Sequence, residues 1–364
     1  MNFCTLFTRT ENIHLLKDVG MIPEALASGF SDVKSNLVTY QNGEYPYYGT
    51  EIKHVELVFL KKRFGKYFDG IRYLKDHADE IDVLNLYHLN LSSYFYSLAA
   101  RKYLKKTARI YLKLDADEGE LEKLRKHGPI AWVKHRTLQM ADVVSAETNY
   151  MVDRLQKETD RRIEFIPNGI HTGKDRPGRS TKLDRILTVG RLGTHVKNTE
   201  LLVNAFVASM DSHSYQLRLV GSCTPELREK IKKLQEENPE VKKRIVLVGE
   251  IKDQALLLKE YEAAKFFVFP SRSESFGLAL LEAYQAGCYL LTSSHVALSH
   301  DIIEIGNNGE IIAEDTVEAW AEAITRNIKA EPDWEAVSRE GFQVVKEQYS
   351  WDNIVKKLYQ LLVL

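Results

Sequence analysis

Short apolar runs recur through the second half of the chain, separated by stretches with helical spacing. RILTVG (185–190), QLRLVG (216–221), RIVLVG (244–249), KFFVFP (265–270) and CYLLTS (288–293) each end in Gly, Pro or Ser. Uninterrupted apolar runs of this length predict parallel strands covered on both faces. Between them lie NTELLVNAFVASM (198–210), PELREKIKKLQEEN (225–238) and DQALLLKEYEAAK (253–265). In the first, Leu201, Leu202, Ala205 and Phe206 fall on one helical face. Pro225 suits a first-turn position, where its missing N–H costs nothing. Strands alternating with helices predict βαβ units and a doubly wound sheet.

The first half repeats this plan more faintly. Strands are predicted at 2–8, 36–41, 53–60, 82–89, 108–114 and 142–147, with helices at 22–29, 66–80, 93–105 and 150–158. PNGIHTGKDRPGRSTKLD (167–184), with its glycines, prolines and mixed charges, reads as the punctuation between two domains. The predicted division is 1–174, 175–345 and a closing segment 346–364. Its amphipathic helix WDNIVKKLYQLLVL (351–364) is expected to pack back across the junction. Two open α/β sheets in one chain direct attention to the loops beyond their strands' carboxyl ends, after Gly190, Gly221, Gly249 and Pro270.

A chain of 364 residues is too long for one hydrophobic core, which agrees with two domains. With 50 basic and 51 acidic side chains its formal net charge is −1, unlike a dedicated nucleic-acid binder. The first 174 residues carry about +3 and the remainder about −4. Cys4, Cys223 and Cys288 are widely spaced and fit neither a zinc cluster nor a disulfide framework, which suggests a reducing compartment. The first residues lack the pattern of a signal peptide, and no run approaches the length of a membrane span. A cytoplasmic protein is expected.

Two stretches carry candidate chemistry. In SRSESFGLALLEAYQAG (271–287) a strand gives way to a polar loop, to Gly277 and then to a helix. The free N–H groups of a helix N-terminus can receive an anion or a polyhydroxyl ligand. Glu274 can accept hydrogen bonds from sugar hydroxyls, and Glu282 can hold a ribose diol. The alternative makes them a cap neighbour and a solvated helix residue. In TVGRLGTHVKN (188–198) Gly190 and Gly193 allow close backbone approach, and Arg191 and Lys197 suit phosphates. Taken alone this is an ordinary solvated loop. Taken with the helix start some 80 residues later in the same sheet, it forms a diphosphate clamp.

Glu274 and Glu282 within ESFGLALLEA, the preceding FVFPS, the GR…K pair Arg191/Lys197, PNGI (167–170) and VGEIKDQAL (248–256) resemble the retaining nucleotide-sugar glycosyltransferases of family four. That group is also called glycosyl transferases group 1. The resemblance implies the GT-B fold, two Rossmann-like α/β domains facing each other across a cleft. It further implies Arg191 and Lys197 on the donor diphosphate, Glu282 on the nucleotide ribose and Glu274 on the donor sugar. Backbone groups near Phe276, Gly277, Leu278 and Gly190 would assist, and Ile251 would contact the base. No metal cofactor is implied. The resemblance implies a nucleoside diphosphate sugar as donor and a hexose transferred with retention to a saccharide or lipid-linked saccharide; the alternatives are a catalytically silent partner subunit of another transferase, or a nucleotide-sugar epimerase or phosphorylase of the same fold. The implied setting is surface polysaccharide or glycoconjugate assembly.

The first domain should hold the acceptor. Lys17, Asp18 and Gly20 lie in a stretch read as a glycine-bearing loop after the first strand, or as a loop and helix cap. His88 ends another strand and is either a cleft residue or structural. Many family members have a histidine near the end of the strand YLKLDADEGE (111–120), where this sequence has Lys113, Asp115 and Asp117. Asp115 reads as a cleft carboxylate or as the cap of a helix from Glu118. The Asp-x-Asp spacing also mimics a metal-binding motif of another glycosyltransferase fold, which would not account for the second sheet. Finally, KKRFGKYF (61–68) and RKYLKKTARIYLK (101–113) interleave basic and aromatic residues. Such faces suit water, an anionic membrane surface at the cytoplasmic side or a polyanionic acceptor.

Overall fold

The computed structural model describes residues 1–170, 181–305 and 308–363. The chain divides into two compact units, Met1–His171 with Tyr349–Leu364, and Thr172–Gln348. The boundary expected at 174/175 lies outside the described residues.

The first unit contains β1 (Asn2–Leu6), β2 (Lys34–Thr39), β3 (Val55–Phe59), β4 (Val83–Tyr87), β5 (Arg109–Leu114), β6 (Val143–Ala146) and β7 (Ile163–Phe165). They form one parallel sheet in the order β3-β2-β1-β4-β5-β6-β7. The second unit contains β8 (Leu183–Val189), β9 (Gln216–Val220), β10 (Ile245–Gly249), β11 (Ala264–Phe269), β12 (Tyr289–Ser293) and β13 (Gly309–Ile312). Their order is β10-β9-β8-β11-β12-β13, again parallel throughout. Both sheets are doubly wound. The chain builds outward in one direction, then returns to the centre and builds the other way. The reversals fall between β1 and β4, and between β8 and β11.

The central strands are apolar on both faces because helices cover both faces. Leu84 and Leu86 on β4, and Phe266, Phe267 and Val268 on β11, are all essentially inaccessible to water. Each such side chain contributes roughly 1.5–3 kcal/mol of burial. Local chemistry sets the helix starts. Asn90 Oδ1 accepts from Ser93 N–H at 3.1 Å, and Thr148 Oγ1 from Met151 N–H at 3.1 Å. Thr224 caps a helix whose first residue is Pro225. Asp253 accepts from two successive N–H groups, at 2.8 and 3.0 Å.

The closing helix, Trp351–Val363, completes the first unit. It buries Ile354, Val355, Leu358 and Leu362 and packs against the helix Asp18–Gly29. Beside that contact Phe30 and Tyr359 stack with ring centroids 4.0 Å apart, and Tyr359 Oη donates to Asp32 at 2.8 Å. Among the described residues no helix is long and apolar enough to cross a membrane.

Candidate functional site

In open α/β sheets ligands gather beyond the carboxyl ends of the strands, at the reversal point. In the second unit that point is flanked by the loop after β8 and the loop after β11. These loops carry Lys197 and Glu274. Lys197 Nζ and Glu274 Oε1 form a close ion pair, with each side chain 17% exposed. The ammonium also lies 4.6 Å from the Phe269 ring centroid. Gly190 donates its N–H to Val220 O at 3.0 Å, and the space a Cβ would take there is bounded by the Lys197 side chain at 3.4 Å. Arg191 is exposed beside them.

The two loops are bound to each other. Arg272 N–H donates to Val196 O at 2.8 Å. Asp315 accepts from Asn198 Nδ2 at 2.6 Å and from Arg272 Nε at 2.9 Å. Asp315 therefore ties Asn198, next to Lys197, to Arg272, two residues before Glu274, and sequence reasoning did not find it. Glu274 also pairs by its backbone with Val296. Phe276 is buried and anchors the loop. Gly277 then takes φ +96°, a conformation that costs glycine little, and starts the helix Leu278–Gln285 with no side-chain cap. The first N–H groups of that helix are left for solvent or a ligand.

Glu282, half-buried on this helix, accepts a hydrogen bond from Tyr261 Oη at 2.8 Å. Burial raises its pKa, against the effect of the tyrosine bond. Tyr261 was also missed, since nothing in EYEAA marks it as the partner of a carboxylate 21 residues later. Ile251 is half-buried in the loop after Gly249, whose carbonyl accepts from Gly221 N–H at 2.8 Å.

In the first unit the reversal point lies between the loops after β1 and β4. A cavity of about 560 Å³ opens there, lined in part by Phe7, Arg9, His88, Asn90 and Lys134. His88 has φ +64° and donates its N–H to Lys113 O at 3.0 Å, so its place at the cavity is fixed by the neighbouring strand.

The expected loop at Lys17–Gly20 is instead the start of the helix Asp18–Gly29. Gly20 is buried, and a Cβ there would come 2.3 Å from Leu15 O. Its missing side chain is used up by packing onto the short helix Asn12–Leu15, not by a ligand. Lys17 is exposed at the helix cap. Asp18 is buried, and burial raises its pKa against the nearby charge of Lys113.

The cap of the helix Glu118–Arg125 is Asp117, which accepts from Glu120 N–H at 3.0 Å. The capping role considered for Asp115 thus belongs to Asp117. Asp115 joins a buried group with Asp18, Glu147 and Lys113 at the ends of β5 and β6. Lys113 is inaccessible, with Nζ donating to Ile166 O at 2.8 Å and lying 3.8 Å from Glu147. Asn168, from the PNGI motif, donates to Glu147 at 2.5 Å. Burial, reinforced by the charge of Asp115, holds the Glu147 carboxyl well above its ordinary range. Among the described residues no three His, Cys, Asp or Glu side chains are arranged to hold a metal ion.

Residues 184–330 match the family model for glycosyl transferases group 1. Over 175 residues the chain is 32% identical to the uncharacterized glycosyltransferase MJ1607 of Methanocaldococcus jannaschii, covering 47% of this chain and 43% of that protein. Over 248 residues it is 26% identical to the D-inositol 3-phosphate glycosyltransferase of Acidothermus cellulolyticus, covering 61% and 54%. The alignments thus span about half the length of these relatives. Among solved structures, sucrose-phosphate synthase from Thermosynechococcus elongatus superposes with a TM-score of 0.72 at 21% identity, over 99% of this chain and 98% of that one. The lipopolysaccharide outer core galactosyltransferase WaaB gives 0.72 at 16%, over 100% and 99%. Anabaena HepE in complex with UDP and glucose gives 0.70 at 14%, over 100% and 99%. At these identities the likeness is one of fold. The class is accordingly the GT-B fold, with a parallel α/β sheet in each unit. Within that fold, residues 184–330 are similar to the glycosyl transferases group 1 domain.

Proposed function

We propose that the protein is a retaining glycosyltransferase that moves a hexose from a nucleoside diphosphate sugar to a saccharide or lipid-linked saccharide. The observation that carries this reading is the Lys197–Glu274 pair at the reversal point of the second sheet, beside the uncapped start of the helix Leu278–Gln285. It puts a cation, a sugar-hydroxyl acceptor and free backbone donors together. A bound UDP and glucose in Anabaena HepE support the donor class.

In this reading Lys197 and Arg191 face the diphosphate, where negative charge grows as the bond from C1 to the leaving oxygen breaks. Donors already in place there stabilise the transition state more than the ground state. Glu274 holds the sugar hydroxyls and Glu282 the ribose. The acceptor hydroxyl attacks C1 from the face the diphosphate leaves, and its proton passes to a phosphate oxygen. The cations take the role a divalent metal plays elsewhere, so no metal is required. Acceptor binding falls to the first unit. The segment 61–68 exposes Phe64 and Phe68, 68% and 67% accessible, among lysines, and suits contact with an anionic membrane surface. Segment 101–113 suits it less, because Tyr111 and Lys113 are buried in β5.

The test is a panel of nucleotide sugars screened for transfer and for hydrolysis, with the anomeric configuration of the product read by NMR. Retained configuration and full activity in chelator are expected. An inverted product, or activity lost in chelator and restored by Mg²⁺ or Mn²⁺, overturns the mechanism. No turnover of any nucleotide sugar and no UDP binding overturn the whole reading.

A further inference from the structure

The cavity at the reversal point of the first sheet is strongly cationic. Among the described residues its wall includes Arg9, Lys66, Lys123 and Lys134, and one carboxylate, Glu120. Glu120 does not cancel them. It is shared by Lys123 and Lys134, each 2.5 Å away, so that cluster keeps a net positive charge. Lys134 is almost fully buried and held on Leu89 O at 2.6 Å, which fixes one ammonium in the wall. Arg9 and Lys66 add two more charges to the lining.

The helices Lys66–Asp76 and Leu91–Tyr103 both begin at this cavity. Asp69 meets the start of the first, accepting from the N–H groups of Arg63 and Phe64 at 3.0 Å each, and Asn90 caps the second, so the side-chain cations carry the positive field. Phe7, Tyr67 and Tyr96 supply apolar walls of the kind that take the face of a sugar ring. A volume near 560 Å³ is in the range of small-ligand sites.

We propose that this cavity binds a phosphoryl group carried by the acceptor saccharide, with Arg9 and Lys66 as its movable cations and Lys134 as its fixed one. The proposal rests on the glycosyltransferase reading only for the word acceptor. The anion site itself stands on the cavity. The phosphoryl group has two sources, a soluble sugar phosphate or a lipid-borne phosphate whose chain leaves past Leu91 and Ile130, exposed at 49% and 69% on the rim.

The experiment is calorimetry on the full chain with glucose 6-phosphate, inorganic pyrophosphate and neutral glucose. It is paired with co-sedimentation on vesicles of phosphatidylglycerol or phosphatidylcholine. Glucose 6-phosphate should bind and neutral glucose should not. The variant Arg9→Gln/Lys66→Gln should weaken glucose 6-phosphate by about tenfold or more, the loss expected of charge-assisted hydrogen bonds. Lys123→Gln, far less buried than Lys134, should weaken it by a smaller factor. Both variants should bind UDP as the wild type does, and Lys197→Met should bind UDP about tenfold or more weakly but keep glucose 6-phosphate. Binding to phosphatidylglycerol vesicles through Arg9 and Lys66, displaced by pyrophosphate, would assign the phosphoryl group to a lipid. Equal binding of glucose and glucose 6-phosphate, or anion binding indifferent to Arg9, Lys66 and Lys123, overturns the proposal. Loss of UDP binding in the wild type alone would instead overturn the donor assignment and leave the anion site standing.

Discussion

The Lys197–Glu274 pair makes an unusual demand on mutagenesis, because its two members should respond to a nucleotide with opposite signs. Lys197 Nζ is held by Glu274 in the ligand-free protein, with both side chains largely buried. Lys197→Met removes a charge-assisted contact to the diphosphate, worth about 1.5–3 kcal/mol. That corresponds to roughly 10- to 150-fold in affinity. The same change strands the Glu274 carboxylate without its partner, and a loss of stability of about 1–3 kcal/mol is expected for a pair between the surface and buried limits. Glu274→Gln acts differently. It removes the carboxylate that competes with phosphate for the ammonium, so UDP should bind at least as tightly as to the wild type. Sugar transfer should nevertheless be lost, because in the proposed function Glu274 holds the donor sugar and not the phosphates. The assay is calorimetric titration of UDP into wild type and both variants, beside a transfer assay with the intact donor. A Glu274→Gln variant that loses tenfold or more in UDP affinity would refute this division of roles.

Two further outcomes follow from the first unit. Gly20→Ala should cost about 1–3 kcal/mol of stability in urea unfolding, since the new Cβ would come 2.3 Å from the Leu15 backbone and neither helix can yield cheaply. Glu147, whose carboxyl is held well above its ordinary range by burial, should make the protein less stable as pH rises from 5 to 8. In that window the unfolded chain has already lost a proton that the folded chain retains, so the slope of stability with pH is negative. Glu147→Gln should remove that component, with thermal unfolding showing a larger gain over wild type at pH 8 than at pH 5. A constant offset between the two proteins would count against the buried-acid assignment.

Much of this architecture was readable in advance, for a physical reason. β8, β11 and β12 lie inside the sheet and β9 and β10 beside them, so each shows as a short run dominated by apolar residues, with Arg218 the one charge within β9. β7 and β13 were not anticipated. They are edge strands of three and four residues, each containing a glutamate, and no periodicity survives at that length. The helix Asp18–Gly29 begins four residues before the predicted start because Gly20 and Pro23 look like breakers, whereas tertiary packing overrides both. The helices Val317–Ala330 and Trp334–Gln348 went unassigned. At the site, Lys197 and Glu274 could be found because glycine turns and a strand-to-helix transition flag their loops. Asp315, Tyr261 and Glu147 carry no such flag. Each matters through a contact distant in sequence, and a single carboxylate in a loop, like Asp315 or Glu147, or a phenol in a helix, like Tyr261, has no local signature.

The discontinuity of the first unit has a consequence for biosynthesis. Its sheet is built from residues 2–165, yet the helix that covers its Asp18–Gly29 face arrives only with residues 351–363. The intervening unit is continuous in sequence. On a ribosome the second unit can therefore reach its native core while the first still exposes the apolar surface awaiting Ile354, Leu358 and Leu362. The nascent chain passes through a stage in which the part made earliest is the last to be finished. Its yield in a cell is then set by how well that waiting surface is shielded from other chains.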